Sequence, residues 1–213
     1  MAEDEGALAA IIVGTGFGGI GMAIQLKQAG IHNFVLLEQA DDLGGCWRDN
    51  TYPGAECDVP SHLYSFSFEP KLDWSKSFAP QSEILDYIRH CAHKYGVEPH
   101  IRYQRRVVAA EFDAASGYWQ VSTATGETFV ARCFIPACGQ LSRPMLPRMP
   151  GLESFAGKQF HSANWDHNYD LRGKRVAVIG SGASAIQFVP VVAEQAQQAL
   201  LFQRSAPYIL PKP

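Results

Sequence analysis

Ala9-Ala10-Ile11-Ile12-Val13 runs directly into Gly14-Thr15-Gly16-Phe17-Gly18-Gly19. The first five residues are continuously apolar and read as a strand buried on both faces. The glycine pattern G-x-G-x-x-G then opens a helix over residues 20–29, with Gly30 as its stop. Phe34-Val35-Leu36-Leu37 is a second buried strand, and it ends in Glu38. In such a turn Gly14 makes the tight bend and Gly16 lets the backbone approach a pyrophosphate. Gly19 lets helix and strand pack closely, and the helix N-terminus at Phe17 offers N–H groups to the phosphates. Glu38 lies 24 residues beyond Gly14, where a carboxylate accepts hydrogen bonds from both hydroxyls of a ribose.

The same unit recurs far downstream. Arg175-Val176-Ala177-Val178-Ile179 runs into Gly180-Ser181-Gly182-Ala183-Ser184-Ala185. A helix follows, interrupted by Pro190, and then a strand over residues 199–202 that ends near Arg204. Ala185 replaces the third glycine, a substitution the helix–strand contact accepts. Arg204 lies 24 residues beyond Gly180, the spacing of Glu38 from Gly14. A guanidinium there suits a ribose 2′-phosphate that a carboxylate would repel, and Ser205 adds a hydroxyl donor. One turn is thus built for a ribose diol and the other for a ribose phosphate. The simplest such pair is FAD and NADPH.

Between the two units, residues 81–95 read as an amphipathic helix with Ile84, Leu85, Ile88, Cys91 and Ala92 on one face. Residues 107–112, 118–123 and 127–135 read as successive strands with turns at Ser116-Gly117 and Thr125-Gly126. The fold class is therefore α/β: two dinucleotide-binding domains, the first a Rossmann-like parallel sheet with an antiparallel β insertion. Residues 1–142 form the FAD-binding domain and 143–172 a linker. Residues 173–213 form the start of an NADPH-binding domain that reads as truncated, because one strand–helix–strand element is short of a doubly wound sheet. The remainder of the polypeptide or a complementing chain is expected to complete it.

Composition excludes several function classes. The 213 residues carry a net charge of −3, which gives no electrostatic basis for binding nucleic acid or an anionic membrane. The start, Met1-Ala2-Glu3-Asp4-Glu5, is acidic where a leader is basic, and no apolar run is long enough to span a bilayer. Five cysteines, Cys46, Cys57, Cys91, Cys133 and Cys138, contain no C-x-x-C pair. That argues against zinc and against a dithiol centre, fits a reducing cytoplasmic setting, and leaves no metal site to assign. Cys91 and Cys133 read as small buried apolar residues.

Gly44-Gly45-Cys46-Trp47, with Tyr52-Pro53-Gly54-Ala55-Glu56-Cys57-Asp58 after it, resembles the G-G-x-W…Y-P-G-x-x-C-D segment of the Baeyer–Villiger monooxygenases. Phe155, Gly157, His161 and Trp165 match that family's F-x-G-x-x-x-H-x-x-x-W signature, with Asp166 in its last place. Ala137-Cys138-Gly139-Gln140 resembles the stretch where the FAD domain ends beside the flavin. The resemblance implies that Gly45 and Trp47 lie on a loop near the flavin and that Tyr64 and Gln140 contact its side of the site. It also implies that the Val107 backbone meets the adenine and that Asp58 is the catalytic carboxylate, holding an arginine by the reaction centre. Val107 as a core strand valine is compatible with that role. His161 reads as a structural residue that pins a hinge, not as a base.

By the same resemblance, NADPH reduces the flavin and O2 is captured as a peroxide at the flavin C4a carbon. One oxygen atom is then inserted beside a ketone carbonyl to give an ester or lactone. The partners implied are a small ketone and O2. Two other readings stay open: an N- or S-oxygenating flavin monooxygenase and a non-catalytic flavin-binding fragment. A disulfide reductase requires a redox cysteine pair that the spacings do not supply.

Overall fold

The computed structural model describes residues 6–210. The acidic start and Pro211-Lys212-Pro213, on which two of the expectations above fall, lie outside the described residues. By contacts the chain forms two compact units. The first comprises the residues up to Arg48 together with Leu85–Ser142, and the second Asp49–Ile84 together with the residues from Arg143 onward. Residues 49–84, read above as part of the first domain, thus group with the second glycine unit.

In the first unit, β1 (Leu8–Val13), α1 (Phe17–Gln28) and β2 (Phe34–Leu37) form the expected strand–turn–helix–strand. Helix α1 starts three residues before the expected position, because Gly16 enters it directly as N-cap and Gly18 and Gly19 form its first turn. It stops where expected. Gly30 takes φ +78°, its N–H donates to Lys27 O at 3.0 Å and the Ile31 N–H to Leu26 O at 2.9 Å, the paired bonds of a Schellman termination.

Helix α2 (Cys46–Asp49) is a single turn, and α3 (Gln81–Lys94) buries Ile84, Leu85, Ile88, Cys91 and Ala92, the predicted face. The remaining strands are β3 (Ile101–Arg102), β4 (Val107–Asp113), β5 (Tyr118–Thr123) and β6 (Thr128–Pro136). The sheet order is β3-β2-β1-β6-β5-β4. β1, β2, β3 and β6 are parallel, β5 pairs antiparallel with β6, and β4 pairs antiparallel with β5. Ile11, Val35, Leu37, Val121 and Ala131 form one buried cluster. Because β1 has β2 on one side and β6 on the other, the first glycine turn stands at a switch point of the sheet, where α/β folds bind ligands.

Cys133 departs from expectation. It pairs with Ala10 in the interior of the sheet yet is exposed. It shares a face with buried Ala131, but nothing among the described residues covers that face two positions further along β6.

In the second unit, β7 (Arg175–Ile179), α4 (Ala183–Gln195) and β8 (Gln198–Phe202) make a two-stranded parallel sheet with one helix. Its core is Tyr52, Leu171, Val178, Ala185, Phe188 and Val192, so the segment following the first domain's loop supplies an aromatic residue to it. Pro190 lies within α4. Among the described residues, no helix is long and apolar enough to cross a membrane.

Candidate dinucleotide sites and the loop beside them

The two glycine turns have the same backbone. Gly14 and Gly180 take φ +102° and +107°, values that L side chains rarely adopt. Their N–H groups donate to Leu37 O and Phe202 O, each at 2.9 Å. Gly16 and Gly182 are both extended N-caps, φ −75° and −73°. Their carbonyls accept from Ile20 and Ile186 at 3.0 and 3.1 Å. At the third position a Cβ on Gly19 would fall 1.9 Å from Gly14 O, whereas the second unit accommodates the methyl of buried Ala185.

The second glycines decide the fit to a ligand. A Cβ on Gly182 would meet nothing within 4 Å, and one on Gly16 only ordinary contacts at 3.8 and 4.0 Å with Gly45 and Gly44. Neither φ requires glycine. Each turn therefore presents a cradle that a methyl group would fill and that the protein itself does not use, which is the geometry a pyrophosphate requires. The residues present fit FAD at the first turn and a second dinucleotide at the other.

Around the first turn, Gly44 and Gly45 take φ +117° and +56°, and a Cβ on Gly45 would lie 3.1 Å from Gly16 Cα. The Gly44 N–H donates to Thr15 O at 3.0 Å. These contacts bring the loop that carries half-buried Trp47 onto the turn. On the other side, the Ala137 N–H donates to Val13 O at 2.9 Å, so the stretch to Gln140 leaves β6 beside Gly14; Gln140 itself is exposed. Glu38 is buried. Its Oε2 accepts from the Thr15 N–H at 3.0 Å and the Thr15 hydroxyl at 2.6 Å, and its Oε1 from the Ala40 N–H at 3.0 Å. Arg48 stands 3.3 Å from Oε1. A ribose diol at this position shares the carboxylate with these donors. Val107 is half-buried at the start of β4 and packs on the sheet core.

At the second turn, strand register revises the spacing argument. Val13 pairs with Leu37 and Ile179 with Phe202. The residue after each strand partner is then Glu38 in the first unit and Gln203 in the second, so Gln203 is the counterpart of the acid and Arg204 stands one residue further. Equal sequence spacing conceals this offset, because the path from Gly180 to the strand end is one residue shorter. The consequence for charge is unchanged: a neutral amide replaces the carboxylate and a guanidinium follows. Arg204 and Ser205 are exposed, and the Ser181 hydroxyl donates to Ser205 O at 3.3 Å, drawing this segment to the turn. Ser184 is half-buried in the first turn of α4.

Asp58 and Tyr64 both fall in the second unit. Four of the five fixed positions of the Y-P-G-x-x-C-D segment have a local reason there. Tyr52 is buried with its ring 5.8 Å from that of Phe188. Gly54, φ +79°, lies so close to α4 that a Cβ would be 2.7 Å from Gln187 O. Cys57 is buried, and its N–H donates to Ala79 O at 2.8 Å. Asp58 is exposed, and its Oδ1 accepts from Gln187 Nε2 at 2.8 Å. Tyr64 is half-buried and closes the short 3-10 turn Ser61–Leu63. Gln187, which the sequence reading missed, carries no motif of its own; only the folded loop reveals it.

The linker signature packs on α4 as well. Trp165 lies 5.3 Å from Phe188 and 5.2 Å from Phe160, ring centre to ring centre. The Phe155 ring folds over Gly157, where a Cβ would be 2.5 Å from it. His161 caps the 3-10 turn Ser162–Asn164: its Nδ1 accepts from the Ala163 N–H at 3.0 Å, so a neutral ring carries its proton on Nε2. Lys158 bonds Asp166 at 2.6 Å and, with the Asn168 N–H, holds that carboxyl below the usual aspartate range. Because the folded pKa is depressed, the contribution of this pair is present above the unfolded aspartate value and is lost as pH falls through the folded one. Lys158→Gln is expected to raise the Asp166 titration midpoint in a carboxyl NMR titration; an unmoved midpoint contradicts the pairing.

Comparison with known proteins agrees with this geometry. A family profile described as flavin-binding monooxygenase-like matches residues 8–212. The chain is 48% identical over 201 residues to a Baeyer–Villiger monooxygenase of Streptomyces coelicolor, covering 94% of this chain and 38% of that protein. It is also 48% identical over 202 residues to one of Pseudomonas aeruginosa, covering 95% and 38%. Among solved structures, an oxidized steroid monooxygenase bound to NADP matches with a TM-score of 0.88 at 40% identity, over 96% of this chain and 40% of that one. A cyclohexanone monooxygenase from Rhodococcus sp. Phi1 bound to NADP+ matches with a TM-score of 0.89 at 34% identity, over 97% and 40%. The chain thus spans about two fifths of the length of the relatives it matches.

Proposed function

From the premise that the chain belongs to the flavin-binding monooxygenase-like family, we propose that the protein is an FAD- and NADPH-dependent monooxygenase acting on ketones. One oxygen atom of O2 is inserted beside the carbonyl, and the product is an ester or lactone. The observation that carries the cofactor pair is the repeated turn geometry with opposite selectors, Glu38 after β2 and Gln203-Arg204 after β8. The two relatives at 48% identity, both Baeyer–Villiger monooxygenases, support the reaction class.

FAD when bound passes electrons from NADPH to O2 and supplies the activated oxygen. The chain's own residues bind and orient. Gly14, Gly16 and the first turn of α1 receive the FAD pyrophosphate, and Glu38 orients its ribose. Gly45, Trp47, Tyr64, Val107 and Gln140 line the remainder of that cofactor's site. Gly180, Gly182, Ala183 and Ser184 receive the NADPH pyrophosphate, while Arg204 and Ser205 hold its 2′-phosphate. Asp58 is the acid at the reaction centre and orients a cation there, and Phe155, Gly157, His161 and Trp165 fix the linker on which the nicotinamide domain turns.

Incubating the full-length protein with NADPH, 18O2 and cyclic ketones tests this reading. A lactone carrying one 18O is the expected product. Oxygenation confined to amines and thioethers, with no ester from any ketone, contradicts it.

A further inference from the structure

We infer that Gln187 is a positioning residue: its side-chain amide holds the loop of residues 52–58, and with it the Asp58 carboxylate, against α4. The inference rests on the reading of Asp58 as the acid at the reaction centre.

A primary amide has two N–H donors and an oxygen with two lone pairs. Gln187 directs all of them at one loop. Its Nε2 donates to Glu56 O at 2.9 Å and to Asp58 Oδ1 at 2.8 Å. Its Oε1 accepts from the Tyr52 hydroxyl at 3.0 Å and from the Glu56 N–H at 3.4 Å. One side chain thereby fixes three points of a seven-residue loop, including both backbone polar groups of Glu56. The main chain makes the same approach independently: Gly54 lies so close that a Cβ would be 2.7 Å from Gln187 O, and its φ of +79° again calls for glycine. The Tyr52 ring packs on Phe188, the next residue of α4.

The polarity of the amide is what the site needs. A carboxylate of the same size would still accept from Tyr52 but would set negative charge against the Glu56 carbonyl and the Asp58 carboxylate. An apolar side chain of the same length would fill the space and hold nothing. Helix α4 opens on Gly182, five residues before Gln187. Asp58 is therefore tied to the helix that rises from the second dinucleotide turn, and it moves with that helix. A loop carrying a reacting acid loses rate when it shifts by even ~1 Å, so the clamp acts on turnover through Asp58.

The test uses the full-length holoenzyme. Q187E is expected to lower kcat ~10-fold or more while KM for NADPH stays within about two-fold, and to speed amide hydrogen exchange at Glu56 and Cys57. Adding Asp58→Asn to Q187E places a donor opposite the new acceptor; exchange is expected to slow towards the parent value although turnover stays low. Gln187→Met, which keeps the length and removes the four bonds, gives the same exchange readout if Q187E does not fold. Parent-like exchange in both single variants overturns the inference, as does a Q187E defect that Asp58→Asn leaves unaltered. Should the parent fail to oxygenate ketones, the proposed reaction falls while the exchange measurements still decide the clamp.

Discussion

Alanine at Gly16 is expected to reduce FAD affinity by ~100-fold or more while the apoprotein loses less than about 1 kcal/mol of stability. The two effects separate because the protein does not require glycine at this position. Gly16 has an ordinary extended φ, and an added Cβ meets protein atoms only at 3.8 Å and beyond. A methyl group here occupies the space of the pyrophosphate and lifts it from the N–H groups at the start of α1. Loss of two charge-assisted hydrogen bonds at ~1.5–3 kcal/mol each accounts for the affinity change. Gly19→Ala is the control with the opposite signature. Its Cβ would fall 1.9 Å from the Gly14 carbonyl oxygen, a backbone atom that cannot swing aside, so the apoprotein is expected to lose ~3 kcal/mol or more. Denaturation of the apoproteins and flavin titration of both variants check the pair of outcomes. Equal destabilisation by the two substitutions would mean that the first turn is a packing device and not a cradle.

Much of this architecture is legible in the chain because the decisive elements are local. β1 and β7 are largely apolar runs that pass directly into G-x-G turns, and β2 is an apolar run that ends in an acid. Helix α3 shows its buried face by its spacing alone. Where reading failed, the cause lies in contacts distant in sequence. β3 has two residues, and it is a strand only because Ile101 pairs with Leu36. Residues 49–84 carry a recognisable motif, yet they group with the second unit through contacts such as that of Asp58 with Gln187, 129 residues away. Cys133 looks like a core residue because it lies in a strand interior, but its exposure depends on what covers one face of β6. The offset between Glu38 and Arg204 is invisible to counting and plain from strand register.

Arg204→Ala is expected to weaken NADPH binding by ~10- to 100-fold and to leave NADH binding within about two-fold, so that coenzyme preference largely disappears. A guanidinium bound to the 2′-phosphate contributes a charge-assisted, often bidentate contact that NADH cannot make. Its position favours that role: it is exposed, it follows Gln203 at the place of the acid, and Ser181 ties the adjacent Ser205 to the glycine turn. The substitution is not expected to disturb folding, because Arg204 packs in neither core cluster. Arg204→Lys keeps the charge and loses the fork, and it falls between the two. Equal losses for both coenzymes would assign Arg204 to the integrity of the turn, and no loss for either would place phosphate recognition elsewhere.

The most direct test of two dinucleotide sites working as a pair is an anaerobic spectral titration of the FAD-loaded, full-length protein, first with NADPH and then with NADH. Bleaching of the visible flavin bands at far lower NADPH than NADH is the result predicted from the matched turns and their opposite selectors. Flavin that binds and is not reduced by NADPH, or is reduced equally well by NADH, would contradict the assignment of the second turn.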